Sequence, residues 1–317
     1  MRKLSKKEEK KLQRTDSVEY KKYYDYMRAI YEKSKIANLS LEQRKLLYPL
    51  LRNILRIMNR FNFNTIKLIG DKRVKNNRPK IYAVTHIGKC DIEMISEVIG
   101  EHTYILSGDF ENLHSTTSGL FLETNGIIYL NEYDKADRKQ ARTTMEKVLK
   151  NGGNILYFPE GTWNLTPSSP IIDIYPGIID IAINANAEIV PVAIEQYRRE
   201  KLGSKFIANI GKNFDPQTMI KNGCSKAEVK EQLKELMATL KWEIFESVDH
   251  AKREDFAEDY YEKYIQAKMQ EWPGFTLDEV REKAFINKNR IESTDVFKPI
   301  DELILTKENS FLLRKNR

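Results

Sequence analysis

The spacing of apolar residues changes near residue 64. Before it, apolar positions recur at helical intervals; after it, they gather into short runs separated by longer polar-faced stretches. Residues 1–36 read as one or two highly charged helices carrying Tyr20, Tyr23, Tyr24, Tyr26 and Tyr31. Ser40, followed by Glu42 and Gln43, has the pattern of a helix start. Within residues 46–61, LLYPLLRNILRIMNRF, one half of the helical wheel holds Leu46, Leu47, Leu50, Leu51, Ile54, Leu55, Ile57, Met58 and Phe61. Lys45, Arg52, Arg56 and Arg60 fall on the other half with no acid among them, so the segment is predicted to be a basic amphipathic helix.

Seven strands of about 4–8 residues are predicted from the runs TIKLIG, KIYAVTH, HTYILSG, GIIYL, GNILYFPEG, EIVPVAIE and FIANIGK. Helical patterns lie between them near 91–100, 134–151, 176–186 and 225–246, the second ending at the stop signal Asn151-Gly152-Gly153. Strand–helix alternation predicts an α/β domain around a mixed, largely parallel sheet flanked by helices. From about 250 the chain is strongly charged and reads as helical, with Trp272-Pro273-Gly274 as a breaker. The short run IDELILT near the end belongs to no predicted element.

Composition narrows the function classes. The 317 residues are enough to bury a substantial core. With 41% hydrophobic residues and a mean hydropathy of −0.57, no window approaches the ~18 unbroken apolar residues of a spanning helix. MRKLSKKEEKKLQR has no apolar stretch behind its basic start, so no secretory signal is expected. Two cysteines, Cys90 and Cys224, supply neither a disulfide framework nor a metal-ligand set, which fits a reducing compartment. The net charge of +7 is uneven: residues 1–60 hold 17 Lys+Arg against 7 Asp+Glu, a net of +10, and the rest of the chain is at −3. Such an arm suits a membrane surface or a nucleic acid.

Two strand ends carry candidate chemistry. KIYAVTH runs into His86, and Asp91 follows five residues later. An imidazole acting as a general base needs a carboxylate that fixes its tautomer and stabilises the imidazolium. That spacing also occurs by chance: His250 and Asp255 repeat it in a charged run with no strand before it, and are read as a solvated face. At the second strand end, Phe158-Pro159-Glu160-Gly161-Thr162 follows an apolar run. The Pro-Glu-Gly turn would project its carboxylate and N–H groups toward a ligand's hydroxyls or phosphate; the alternative is an ordinary turn with an exposed Glu160.

Together these motifs resemble the PlsC-type lysophospholipid acyltransferase family, the 1-acyl-glycerol-3-phosphate acyltransferases and their relatives. Two weaker blocks lie in the family's order, Gly126–Leu130 and Val190–Ala193, and the resemblance covers roughly residues 64–247. It implies acyl transfer from acyl-CoA or acyl-carrier protein, with no metal and no cofactor beyond that co-substrate. His86, oriented by Asp91, would take the proton of the acceptor hydroxyl as it attacks the thioester, with backbone donors near the turn stabilising the oxyanion. Phe158, Pro159, Glu160, Gly161 and Thr162 would bind the acceptor, and Pro191 would shape the acyl-donor side. The implied organisation is a basic N-terminal helical region over 1–62, an acyltransferase domain over 63–247, and a charged helical extension over 248–317.

The chain departs from the family at two arginines, where it has Asn131 and Trp163. Guanidiniums there would clamp an acceptor phosphate. Lys89, Arg138 and Arg142 are possible substitutes, the latter two on a face with Lys135 and Lys139 that otherwise reads as solvated helix. The acceptor therefore stays open between lysophosphatidic acid and an aminolipid or glycolipid hydroxyl, and a non-catalytic lipid-surface protein is the third reading. By the same resemblance the basic N-terminus would hold the protein peripherally on the cytoplasmic face of a membrane, through Leu47, Leu51, Arg52, Ile54, Arg56, Met58 and Arg60. The alternative is that this helix simply packs on the α/β core. No nucleic-acid module accompanies the charge. His102, His114 and Cys90 are assigned no role.

Overall fold

The computed structural model describes residues 1–271 except 16, 88–89, 109–116, 131–133, 162, 165–168 and 200–202. Three helices come first: α1 (Lys6–Thr15), α2 (Ser17–Glu32) and α3 (Leu41–Phe61). Then follow β1 (Thr65–Asp71), β2 (Lys80–Val84), α4 (Asp91–Ile99), β3 (Tyr104–Ser107), α5 (Thr117–Asn125) and β4 (Ile127–Tyr129). Next are α6 (Lys135–Lys150), β5 (Ile155–Tyr157), α7 (Gly177–Ala185), β6 (Glu188–Arg199) and β7 (Ser204–Ile210). The described chain closes with α8 (Pro216–Lys221), α9 (Lys226–Asp249), a 3-10 turn at Arg253–Asp255 and α10 (Tyr260–Glu271).

All seven predicted strands join one sheet in the order β1-β7-β6-β2-β5-β3-β4. Every neighbouring pair is parallel except β6–β7. Strand side chains alternate between faces, so each strand feeds two cores. Ile81, Ala83 and Ile155 pack with Met145 and Leu149 of α6, Ile178 and Ala182 of α7 and Leu233 and Met237 of α9. Tyr82, Val84 and Leu156 pack on the other face with Met94 and Ile95 of α4, Leu122 of α5 and Leu55 of α3. The result is a three-layer α/β fold whose parallel strands end at one edge, where sites of such sheets lie.

The predicted helix start at Ser40 is a full capping box: the Ser40 hydroxyl accepts from the Gln43 N–H, and the Gln43 side chain accepts from the Ser40 N–H. Helices α5 and α8 escaped the sequence reading. The first has no clear helical period; the second is short, though Asp215 accepts from Gln217 and Thr218 and Pro216 fills its first turn. His250 does not continue a helix: it caps α9 with φ of 52°, and Asp255 belongs to the separate 3-10 turn. Both are exposed. Trp272-Pro273-Gly274, IDELILT and His114 lie outside the described residues.

The α3 face is arranged differently from expectation. Leu55 is buried and Leu51 and Met58 are half-buried, but Leu46, Leu47, Leu50, Ile54, Ile57 and Phe61 are exposed. The arginines expected to meet lipid lean instead on α4. Arg52 donates to the Glu97 carbonyl at 2.9 Å, and Arg56 and Arg60 pair with the Glu97 carboxylate at 3.4 and 3.1 Å. Asn59 adds a hydrogen bond to the same carboxylate and Tyr48 donates to the Ser96 carbonyl. A buried carboxylate and the open carbonyls at the end of α4 demand donors, and these side chains supply them.

Candidate functional site

The site forms where β2 ends. Thr85 leaves the strand, its hydroxyl donating to the Ile194 carbonyl and accepting from the Ile194 N–H, which fastens β2 to β6. His86 follows, and five residues later Asp91 opens α4. The His86 ring meets the Asp91 carboxylate through Nδ1 at 2.6 Å. The same carboxylate accepts from the Ile87 and Ile92 N–H groups at 3.2 and 2.9 Å. Asp91 is buried, and a carboxylate in the first turn of a helix is favoured by the helix dipole. Cys90, just before it, has φ of 70°, a conformation that costs a non-glycine residue and permits the tight entry into α4.

Because a carboxylate only accepts, its contact with Nδ1 puts the ring proton there and makes Nε2 the basic nitrogen. Phe158 stacks on the imidazole with centroids 4.4 Å apart, and Trp163 stands edge-on to it at 6.1 Å. The second motif thus supplies two aromatic walls for the first. Asn164 donates its N–H to the His86 carbonyl, and its amide spans the Ser169 and Pro170 carbonyls.

Glu160 corrects the sequence reading. Its carboxylate does not project outward: the residue is 1% exposed, and its oxygens accept from the His86 N–H at 3.3 Å and the Ile172 N–H at 3.1 Å. Burial of two otherwise unpaired backbone donors draws the carboxylate inward, so Glu160 fixes the strand end instead of reaching for an acceptor. Pro159 accepts from the Tyr175 N–H at 2.8 Å. Gly161, exposed, adopts φ of 67°, and a Cβ there would lie 2.4 Å from the Tyr175 ring. Pro191 is buried inside β6 opposite Ala83, with its carbonyl taken by Gly211; it lies within the sheet and below the strand end.

Of the expected phosphate contacts, Arg142 is engaged elsewhere, with Glu146 at 3.1 Å and Asp180 at 3.5 Å. Arg138 is exposed on α6. Lys89, Asn131 and Thr162 lie outside the described residues.

Behind the site sits a buried ionic cluster that sequence reasoning missed. Glu195 on β6, fully buried, pairs with Lys268 of α10 at 2.6 Å and Lys241 of α9 at 3.3 Å. The two lysines hold its carboxyl well below the usual range against the opposing effect of burial. Lys241 also donates to the Pro170 carbonyl and the Tyr261 hydroxyl, both at 3.3 Å. One signal was available: Lys241 shares the apolar face of α9 with Met237 and Ile244, and Lys268 that of α10 with Tyr261 and Ile265.

Comparison with known proteins agrees with this architecture. The Acyltransferase family profile matches residues 65–195. The crystal structure of the 1-acyl-sn-glycerophosphate (LPA) acyltransferase PlsC from Thermotoga maritima aligns at 17% identity with a TM-score of 0.50, covering 71% of this chain and 88% of that one. At that identity the likeness concerns the fold. No curated protein sequence matches the chain significantly.

Proposed function

We propose that this chain, whose residues 65–195 match the Acyltransferase family and whose fold resembles that of PlsC, moves a fatty acyl group from acyl-CoA or acyl-carrier protein to the hydroxyl of a lysophospholipid-type acceptor. The observation that carries the reading is the 2.6 Å contact of His86 Nδ1 with Asp91 at the end of β2. Nε2 of His86 takes the proton as the acceptor oxygen attacks the thioester carbonyl. Collapse of the tetrahedral intermediate expels the thiolate, which is protonated in turn, and Asp91 stabilises the transient imidazolium. PlsC of Thermotoga maritima is a 1-acyl-sn-glycerophosphate acyltransferase, and that acceptor is the first candidate.

Trp163 favours a second acceptor. An indole, not a guanidinium, stands beside His86, and an apolar wall suits a lyso-aminolipid or glycolipid better than a phosphate dianion. A panel of lyso-acceptors with radiolabelled acyl-CoA separates the two. Strong preference for lysophosphatidic acid retires the second reading, and transfer to none of them retires the first as well.

The proposed place of action is the cytoplasmic face of a membrane, held peripherally through α3. Among the described residues no helix is long and apolar enough to cross a membrane. The outer stripe of α3 is exposed, and Arg56, Ile57, Arg60 and Phe61 line an open depression near the end of that helix. Cys90 and Cys224 are not joined in a disulfide.

A further inference from the structure

The buried cluster behind the site consists of groups from five elements. Asp91 comes from α4, Glu160 from the turn after β5, Glu195 from β6, Lys241 from α9 and Lys268 from α10, and each is at least nine-tenths buried. Contacts lead from the imidazole to the last lysine. Asp91 holds the ring, Glu160 holds the His86 N–H and the Ile172 N–H, and the adjacent Pro170 carbonyl accepts from Lys241. Lys241 and Lys268 clasp Glu195, whose neighbour Ile194 bonds Thr85 beside His86. Both lysines lie beyond residue 195, outside the matched family region.

We propose that Lys241 and Lys268 are positioning residues of the acyl-transfer site, set by α9 and α10 to balance the buried carboxylates around His86. Three carboxylates against two ammoniums leave one net negative charge, and the imidazolium formed in proton transfer brings it to zero. Burial of ions is costly unless such a count closes. Lys268 illustrates the tension: burial and, less strongly, the charge of Lys241 draw its ammonium below the ordinary lysine value, while Glu195 and, least, Asp91 pull it back. Among the described residues, Tyr260, Tyr261 and Tyr264 of α10 also interact with Glu195, and all three are neutral in this count.

The inference rests on the acyl-transfer reading but is tested apart from it. Lys268→Met adds a net negative charge beside His86, so the acid limb of the pH profile of kcat/KM should move up by about one pH unit. Glu195→Gln removes one and should move it down. The double variant, with the wild-type count, should return it to the wild-type position. A structural role alone predicts instead that no limb moves. The ring resonances of His86, followed by NMR through the same pH series, give the same readout without turnover, so a slow variant still decides. Unmoved limbs and ring titrations in both single variants would overturn the proposal. If His86→Ala turns over at the wild-type rate, the assignment of His86 as the base falls first; if it is dead while those limbs stay put, only this inference falls.

Discussion

Insertion of the α3 stripe into lipid makes a quantitative prediction. Leu50 and Ile57 expose 60% and 56% of their surface, on the side of the helix turned away from α4. Fully burying such a side chain is worth about 2 kcal/mol, so inserting both exposed portions contributes about 2 kcal/mol to membrane association. The variant Leu50→Ser/Ile57→Ser should therefore bind vesicles ~30-fold more weakly. Exposed positions tolerate such changes within about 0.5 kcal/mol of folding stability, so the fold should survive. Sedimentation with phosphatidylcholine vesicles, with and without phosphatidylglycerol, reads the partition directly. Arg56→Ala provides the contrast: its guanidinium leans on Glu97, so vesicle binding should change by less than about threefold. Equal partition of wild type and the Leu50/Ile57 variant would refute the stripe, and a larger loss from Arg56→Ala would restore an electrostatic anchor in its place.

Three further outcomes follow from the contacts. Asp91→Asn should lower kcat by about 10³-fold with unchanged circular dichroism, because an amide cannot stabilise the imidazolium; steady-state kinetics checks it. Arg44→Ala should cost about 3 kcal/mol, read as a melting temperature lower by roughly 6–10 °C; the buried guanidinium satisfies carbonyls of Ile36, Ala37, Leu39, Glu123 and Thr124, pinning α3 to the end of α5. His102, held down to about 4 chiefly by burial, binds a proton in the unfolded chain before it does in the native one. Stability should accordingly fall as pH drops from about 6.5 toward 4, by about 3 kcal/mol, and His102→Gln should flatten that slope in urea titrations.

The sheet was readable because a parallel strand buried on both faces is an uninterrupted apolar run. His86, Asp91 and Phe158 were readable for the same reason, lying at strand ends. Direction was not readable. Glu160 points inward because the His86 and Ile172 N–H groups need a partner, and nothing in FPEGT reveals those donors. The arginines of α3 turn to Glu97 because α4 presents a buried carboxylate 37 residues beyond Arg60, a pairing that periodicity cannot express. Lys241 and Lys268 came closest to being legible, as charges on apolar helix faces, but their partner Glu195 sits alone at the end of an apolar strand.

The central claim is that His86 Nε2 takes the acceptor's proton. Single-turnover acyl transfer from radiolabelled acyl-CoA, comparing wild type with His86→Ala at matched folding and vesicle binding, tests it most directly. A fall of about 10³-fold or more is the predicted result. Transfer by the variant at the wild-type rate would contradict the account.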